Sequence, residues 1–414
     1  MKATPKALRL HIAIIGRTNV GKSSFLNLIT GQDVAITSPE PGTTTDVVEK
    51  TMELLPIGPV VFIDTAGLND ATSLGSKRLN KTNKVFDRAD VILLVHDQTT
   101  YTDYEKMVQK KAVAKKLPVI HIYNKTDLYA PPIIEENGCS AITCCALDVN
   151  NREQVLSQFK KQLLDICPDE FIQPPPLLGD LLRPGGLVIL IVPIDMEAPK
   201  GRLILPQVQS IRDALDNDAA VLVVKESEYA HLLTQFVSSP DIVVCDSQVV
   251  LKMVTETPPH IPCTTFSILF ARLKGNLQKM AAGAAVIDHL QDSDKILIAE
   301  SCSHHALEDD IGRVKIPRWL RQYSGANLQI DVYAGRDFPD TLHEYNLVVQ
   351  CGGCMHNRRE ILSRIEACEA VGVPITNYGV CISQTQSVLK RVLSPFPTAL
   401  ETYENMKKKL ELSS

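Results

Sequence analysis

The sequence predicts an α/β protein, with an N-terminal P-loop domain on a mostly parallel sheet followed by two further α/β domains. Three observations lead there. Short apolar runs that end in polar loops alternate with helical stretches along nearly the whole chain. Residues 16–24, GRTNVGKSS, join one such apolar run to a helical one. Proline clusters at 173–180 (QPPPLLGD) and 255–263 (TETPPHIPC) interrupt the alternation, since proline continues neither a helix nor a central strand.

In chain order, the first strands are expected in RLHIAIIG (9–16), PVVFIDTAG (59–67), DVILLVHD (90–97) and LPVIHIYNKTD (117–127). After the first proline cluster come GGLVILIVPID (185–195), a helix near Pro206 to Asp216, AAVLVVKES (219–227) and DIVVCDSQVV (241–250). After the second, Phe266, Phe270, Leu273, Leu277, Met280 and Ala284 recur at helical spacing, and KILIAES (295–301), LQIDVYAG (328–335), NLVVQC (346–351) and VPITNYG (373–379) read as strands. The domains are therefore expected at 1–172, 181–260 and 263–414. The second and third belong to one class, without a repeat visible in their residues.

A chain of 414 residues exceeds what one core usually serves, so several domains are expected. A formal charge of −5 and a pI near 6.1 give no overall attraction for phosphate backbones, which argues against a nucleic-acid partner. The longest apolar stretch, LVILIVPI at 187–194, is far below the roughly 20 residues that cross a bilayer, so no membrane partner is expected and the location is read as cytoplasmic. Eleven cysteines, an odd number, are expected to be packing residues, reactive thiols or metal ligands rather than disulfides.

GRTNVGKS fits the phosphate-binding pattern G-x-x-x-x-G-K-[ST]. Gly16, Arg17, Thr18, Asn19, Val20 and Gly21 would turn backbone N–H groups toward phosphate, Lys22 would reach the β and γ oxygens, Ser23 would ligate Mg²⁺, and Ser24 opens the helix. DTAG at 64–67 places Asp64 for a water-mediated contact to Mg²⁺ and the Gly67 N–H for the γ-phosphate. NKTD at 124–127 supplies Asn124, Lys125 and Asp127, whose carboxylate accepts two hydrogen bonds from guanine N1 and its 2-amino group. Adenine lacks that donor pair, so GTP and GDP are the expected ligands. In PGTTTD (41–46) Thr44 is the best candidate to complete the Mg²⁺ shell, with Thr43 or Thr45 as substitutes. Cys145 and Ala146 stand for the usual Ser-Ala of the last guanine-contact loop. The catalytic set is thus Lys22, Asn19, Thr44, Asp64 and Gly67. Leu68 follows Gly67 where Ras-like enzymes carry the water-orienting Gln, so hydrolysis is expected to be slow or to use another stabiliser. Asn19 resembles the potassium-activated branch of translation-factor-like GTPases, typified by the tRNA-modification GTPases, where it helps hold K⁺.

Cys302 follows KILIAES, and Cys351 and Cys354 of CGGC follow NLVVQ, so these thiols are expected at the carboxyl ends of strands, where open α/β sheets place ligands. His304, His305 and His356 lie near in sequence. Buried thiols, an S₃N zinc site and a three-cysteine [4Fe–4S] cluster all satisfy this spacing. Cys139, Cys144, Cys167, Cys245, Cys263 and Cys368 show no metal spacing and are assigned to packing, and Cys381 is left out of the ligand set.

GRTNVGKSS, PGTTTD, DTAG and NKTD, followed by Cys302-Ser303-His304, Cys351-Gly-Gly-Cys354 and PITNYG (374–379), together resemble HydF, the iron–iron hydrogenase maturation GTPase family. The resemblance spans essentially the whole chain. It implies a GTPase domain, a dimerisation domain and a [4Fe–4S] domain. It also implies a homodimeric scaffold that receives a transient two-iron precursor, made with two radical-SAM maturases, and delivers it to the apo-hydrogenase. The family commonly reads Cys-x-His, then His-Cys-x-x-Cys; here Gln350 stands where the second His would be. The fourth iron ligand must then come from elsewhere, such as His304, His305, His356, Glu300, Glu308 or water. GTP is expected to order the PGTTTD loop and the segment after DTAG, and so to change a partner surface. The alternative is a ribosome- or tRNA-associated, K⁺-dependent GTPase with a zinc-stabilised C-terminal module.

Overall fold

Six strands form the sheet of the first compact unit, Met1–Pro174. They are β1 (Leu10–Ile15), β2 (Val48–Leu54), β3 (Gly58–Asp64), β4 (Val91–His96), β5 (Val119–Tyr123) and β6 (Ala141–Thr143), in the order β2-β3-β1-β4-β5-β6. This computed structural model describes residues 6–31, 48–64, 84–97, 102–129, 141–168, 171, 175–193, 203–236, 238–301, 310–335, 337–353 and 355–412. All neighbours in the sheet are parallel except β2, which runs antiparallel to β3 at the edge.

The sequence of β1 explains its central place. Every residue of LHIAII is buried, as a parallel strand with covered faces requires. Ile12 and Ile14 face a cluster with Phe25, Phe62 and Phe159, while Ala13 and Ile15 face another with Val61, Phe86 and Val108. β2, VEKTMEL, mixes charged and apolar residues and was not among the expected strands. An edge position with one solvated side suits that mixture.

The second unit, Pro175–Ser414, holds two all-parallel four-stranded sheets. One consists of β7 (Leu187–Ile191), β8 (Ala220–Val224), β9 (Ile242–Cys245) and β10 (Cys263–Thr265), in the order β10-β9-β7-β8. The other consists of β11 (Lys295–Ala299), β12 (Gln329–Tyr333), β13 (Leu347–Gln350) and β14 (Ile375–Asn377), in the order β12-β11-β13-β14. Read from opposite ends, the two orders are the same. The segment 181–260 supplies β7, β8 and β9, while 263–414 supplies β10 to β14, so the first of these sheets takes its edge strand from beyond residue 260. One buried apolar cluster includes residues of both sheets.

Around 255–263 the second proline cluster ends on Cys263, the first residue of β10. The helical pattern after it divides into Phe266–Lys274 and Leu277–Ala285, because Asn276 starts a new helix by accepting a hydrogen bond from the Lys279 N–H at 3.0 Å. Among the described residues no helix is long and apolar enough to cross a membrane.

Candidate functional site

The phosphate loop lies between β1 and the helix Lys22–Thr30, whose N-terminus has no side-chain cap. Its first N–H groups remain available to an anion. Gly21 has φ 94°, and a Cβ there would lie 2.1 Å from Asn124 Nδ2, so only glycine fits. Asn19 also adopts a left-handed conformation, φ 63°, and is exposed at the loop surface. Asparagine tolerates this region better than other side chains.

Lys22 is buried, and its Nζ donates to Gly16 O at 3.0 Å and Arg17 O at 2.7 Å. Burial lowers its pKa to about 8, against a raising contribution from Asp64. Asp64, at the end of β3, accepts a hydrogen bond from Ser23 Oγ at 3.1 Å through Oδ2. Among the described residues its Oδ1 is buried without a hydrogen-bond partner, and burial raises the carboxyl above its ordinary value. A hydroxyl beside an under-satisfied buried carboxylate suits a hydrated divalent cation. The residues present therefore fit Mg²⁺, which Ser23 would ligate and Asp64 would hold through water.

Asn124 follows β5 and ties the base-recognition side to the phosphate loop. Its Nδ2 donates to Val20 O at 2.9 Å, and its Oδ1 accepts the Ala146 N–H at 2.9 Å. Asp127 is exposed and Cys145 partly so, while Ala146 is buried. Lys125 has φ 61°, and its Nζ lies 3.6 Å from Asp97 Oδ2. Asp97 also accepts from Arg17 Nη2 at 2.7 Å, and Arg17 Nε donates to Glu105 Oε1 at 2.7 Å.

The Arg17 guanidinium is thus turned to these carboxylates, leaving its backbone to serve the loop. Burial pushes the Glu105 carboxyl up, but hydrogen bonds from Thr102 and Arg17 more than offset this and leave it below its ordinary value. The sequence reading missed Asp97 and Glu105. Asp97 did carry a signal, since it ends an apolar strand as Asp64 and Asn124 do. Thr43, Thr44, Thr45, Gly67 and Leu68 lie outside the described residues.

In the second unit, β11 leads to β12 on one side of the sheet and β13 leads to β14 on the other. The crevice between the ends of β11 and β13 is therefore a topological switch point. Cys351 sits there, immediately after β13. Its N–H donates to Ala299 O at 2.9 Å, the Ser301 N–H donates to its Sγ at 3.1 Å, and Sγ lies 2.8 Å from Ser301 Oγ. Ser301 Oγ is 3.2 Å from Nδ1 of the buried His356. Gln350 is buried, and among the described residues its Oε1 has no hydrogen-bond partner.

Glu300, weighed as an oxygen ligand, is bound by Arg313, with Nε 3.1 Å and Nη2 2.8 Å from Oε2. Cys302, His304, His305, Glu308 and Cys354 lie outside the described residues. Among those described, no group of three or more His, Cys, Asp or Glu side chains is placed to hold a metal. Cys351 is thus a half-buried thiol at the switch point, beside Ser301.

The cysteines assigned to packing that are described, Cys144, Cys167, Cys245, Cys263 and Cys368, are all buried, as is Cys381. Burial pushes the Cys144, Cys368 and Cys381 thiols up to about 12. Cys139 lies outside the described residues.

Comparison with known proteins gives three family matches. Residues 11–125 match a 50S ribosome-binding GTPase domain, residues 177–275 the hydrogen maturase F dimerization domain, and residues 278–395 the hydrogen maturase F tetramerization domain. Among curated proteins, the tRNA modification GTPase MnmE of Nitrosomonas europaea is 37% identical over 130 residues, covering 31% of this chain and 29% of that protein. GTPase Der of Kosmotoga olearia is 29% identical over 202 residues, covering 47% of this chain and 41% of that protein. The chain thus spans less than half the length of either relative. A solved structure of Era from Aquifex aeolicus bound to GDP and aluminium fluoride aligns with TM-score 0.33 at 20% identity, covering 55% of this chain and 98% of that one.

Proposed function

The chain belongs to the hydrogen maturase F family, and on that premise we propose that it is a slow, K⁺-stimulated GTPase acting as scaffold and carrier in FeFe-hydrogenase maturation. In this reading residues 1–172 bind and hydrolyse GTP, 181–260 hold a homodimer, and 263–414 hold a [4Fe–4S] cluster on Cys302, Cys351 and Cys354. A two-iron precursor, made with two radical-SAM maturases, is its cargo, and the apo-hydrogenase is the recipient. Lys22, Asp64, Gly67 and Thr44 serve the phosphates and Mg²⁺, Asn19 serves K⁺, and Asp127 selects guanine.

The observation that carries the reading is Cys351 Sγ at the β11/β13 switch point, hydrogen-bonded by Ser301, the residue before Cys302. N–H···S bonds to a ligand sulfur are among the features by which a protein tunes an iron–sulfur centre. His304 is the first candidate for the fourth iron ligand. When bound, the cluster would supply an iron whose fourth position can exchange.

The test is anaerobic reconstitution with iron and sulfide, followed by EPR of the reduced protein. A Cys302→Ala, Cys351→Ala, Cys354→Ala variant is the control. A [4Fe–4S] signal that the variant lacks, and that added cyanide or imidazole perturbs, supports the carrier. Stoichiometric zinc, no cluster and a salt-sensitive RNA complex would overturn it in favour of a ribosome- or tRNA-associated GTPase, the reading that the description of the N-terminal match favours.

A further inference from the structure

The two sheets of the second unit are alike beyond their strand order. Ile191 pairs with Val224 and Cys245 as Ala299 pairs with Tyr333 and Gln350. Thr265 pairs with Cys245 as Asn377 pairs with Gln350. The Asp246 N–H donates to Ile191 O at 3.2 Å, and the Cys351 N–H donates to Ala299 O at 2.9 Å. In each half the fourth strand ends on a residue that caps the next helix: Thr265 caps Phe266–Lys274 and Asn377 caps Tyr378–Thr385. Counting from these fixed points, Asp246 corresponds to Cys351, Ser267 to Gly379 and Lys274 to Gln386.

The halves also exchange helices. Phe266–Lys274 packs on Arg358–Ala370, the helix after the Cys351 loop, and Tyr378–Thr385 packs on Ser247–Val249, the turn after Asp246. Leu277–Ala285 lies on β14, and Leu389–Leu393 lies on β10. The corresponding residues Ser267 and Gly379 meet: a Cβ added at Gly379 would lie 2.2 Å from Ser267 Cβ, as neighbours of a two-fold axis do. In each half the element that follows the third strand is therefore packed by a helix of the opposite half, as in a domain-swapped dimer carried on one chain.

Through this exchange Lys274, at the end of a first-half helix, reaches the second-half crevice. It is 2% exposed, and Nζ donates to Gly353 O at 3.0 Å and His356 O at 3.1 Å. It also lies 5.7 Å from the centroid of the Phe270 ring. A buried amine persists where oxygen acceptors meet it, and such charge-assisted bonds are stronger than neutral ones. Both carbonyls belong to the loop that starts at Cys351. In the first-half crevice the corresponding positions are Gln386 and Asp246, so neither the amine nor the thiol recurs at its corresponding position.

We propose that Lys274 is a positioning residue of the cysteine site. Contributed by a helix of the segment that matches the dimerization domain (177–275), it holds the carbonyls of Gly353 and His356 so that Cys351 faces the β11/β13 crevice, and it ties the first sheet's helix to the loop after β13. The inference rests on the carrier reading only for what the thiol holds.

The test uses the full chain with Lys274→Met and Lys274→Arg. In the metal-free protein, alkylation of Cys351 by iodoacetamide is followed by peptide mass spectrometry, with buried Cys381 as internal reference. Lys274→Met should raise the Cys351 rate at least about tenfold, because it removes two charge-assisted hydrogen bonds, each worth about tenfold or more. Cys381 should stay protected, and Lys274→Arg should restore most of the difference. After reconstitution, Lys274→Met should lose iron to a chelator faster and broaden the EPR signal, whereas Lys274→Arg should not. A Cys351 rate within twofold of the parent would overturn the proposal, as would Cys351 and Cys381 rising together. If the parent chain takes up no cluster, the carrier reading fails while the alkylation rates still decide the role of Lys274.

Discussion

Lys22 makes nucleotide affinity dependent on pH, and the size of the effect follows from its surroundings. In the nucleotide-free loop its pKa is lowered to about 8 by burial. A nucleotide phosphate favours the ammonium form and raises that pKa again, so binding above pH 8 must take up a proton. Affinity should therefore be near its maximum below pH 8 and fall as pH rises through it. With the pKa near 8, about nine-tenths of Lys22 is charged at pH 7 and about one quarter at pH 8.5, which predicts a GDP Kd about fourfold higher at pH 8.5.

The assay is fluorescence titration with a labelled GDP in EDTA, so that Mg²⁺ does not contribute. It is kept below the pH at which guanine N1 itself ionises. Lys22→Arg, which stays charged throughout, should bind less tightly at pH 7 and show no such slope. A Kd that is constant from pH 7 to 8.5 would refute the argument, because it would mean that the loop does not suppress the charge of Lys22.

Other consequences are equally direct. Asn124→Ala strips the partners from Val20 O and the Ala146 N–H; calorimetry of the full chain should show the GTPase unit destabilised by about 2–4 kcal/mol, with weaker GDP binding. Asp127→Asn replaces a double acceptor with a group that can donate, so competition binding should show GTP affinity lost and xanthosine triphosphate affinity gained. Gly379→Ala forces a methyl group against Ser267, and the second unit should lose about 1–3 kcal/mol in thermal unfolding while GDP binding is unchanged.

The candidate nucleotide site was legible as a set of motifs because its parts are local. GRTNVGKSS, Asp64 and NKTD each end a strand or open a helix, and the parallel order β3-β1-β4-β5 brings those ends to one edge. Neighbours of that site were less visible. Asp97 and Glu105 act through Arg17, and no motif marks a carboxylate whose role is to hold another side chain.

Short strands were hard to see as well. β6 and β10 have three residues each, too few for a periodic signal, and their place is fixed by pairing with β5 and β9. The likeness of the two later halves escaped the sequence for a different reason. It resides in register and connection, while the residues at corresponding points differ: Asp246 against Cys351, Lys274 against Gln386. Backbone pairing asks only for apolar runs of suitable length, and many sequences satisfy that.

The exchanged helices have one more consequence. Two identical subunits related by symmetry must carry every substitution twice, so a change that benefits one crevice is imposed on the other. Joined in a single polypeptide, the halves are free to diverge, and a residue in one can specialise for the needs of its neighbour. Separation becomes impossible in return. A fragment ending near residue 276 would strip Leu389–Leu393 from β10, and one beginning there would strip Phe266–Lys274 from the Cys351 loop. Anyone seeking a minimal fragment of the second unit must take the two sheets together.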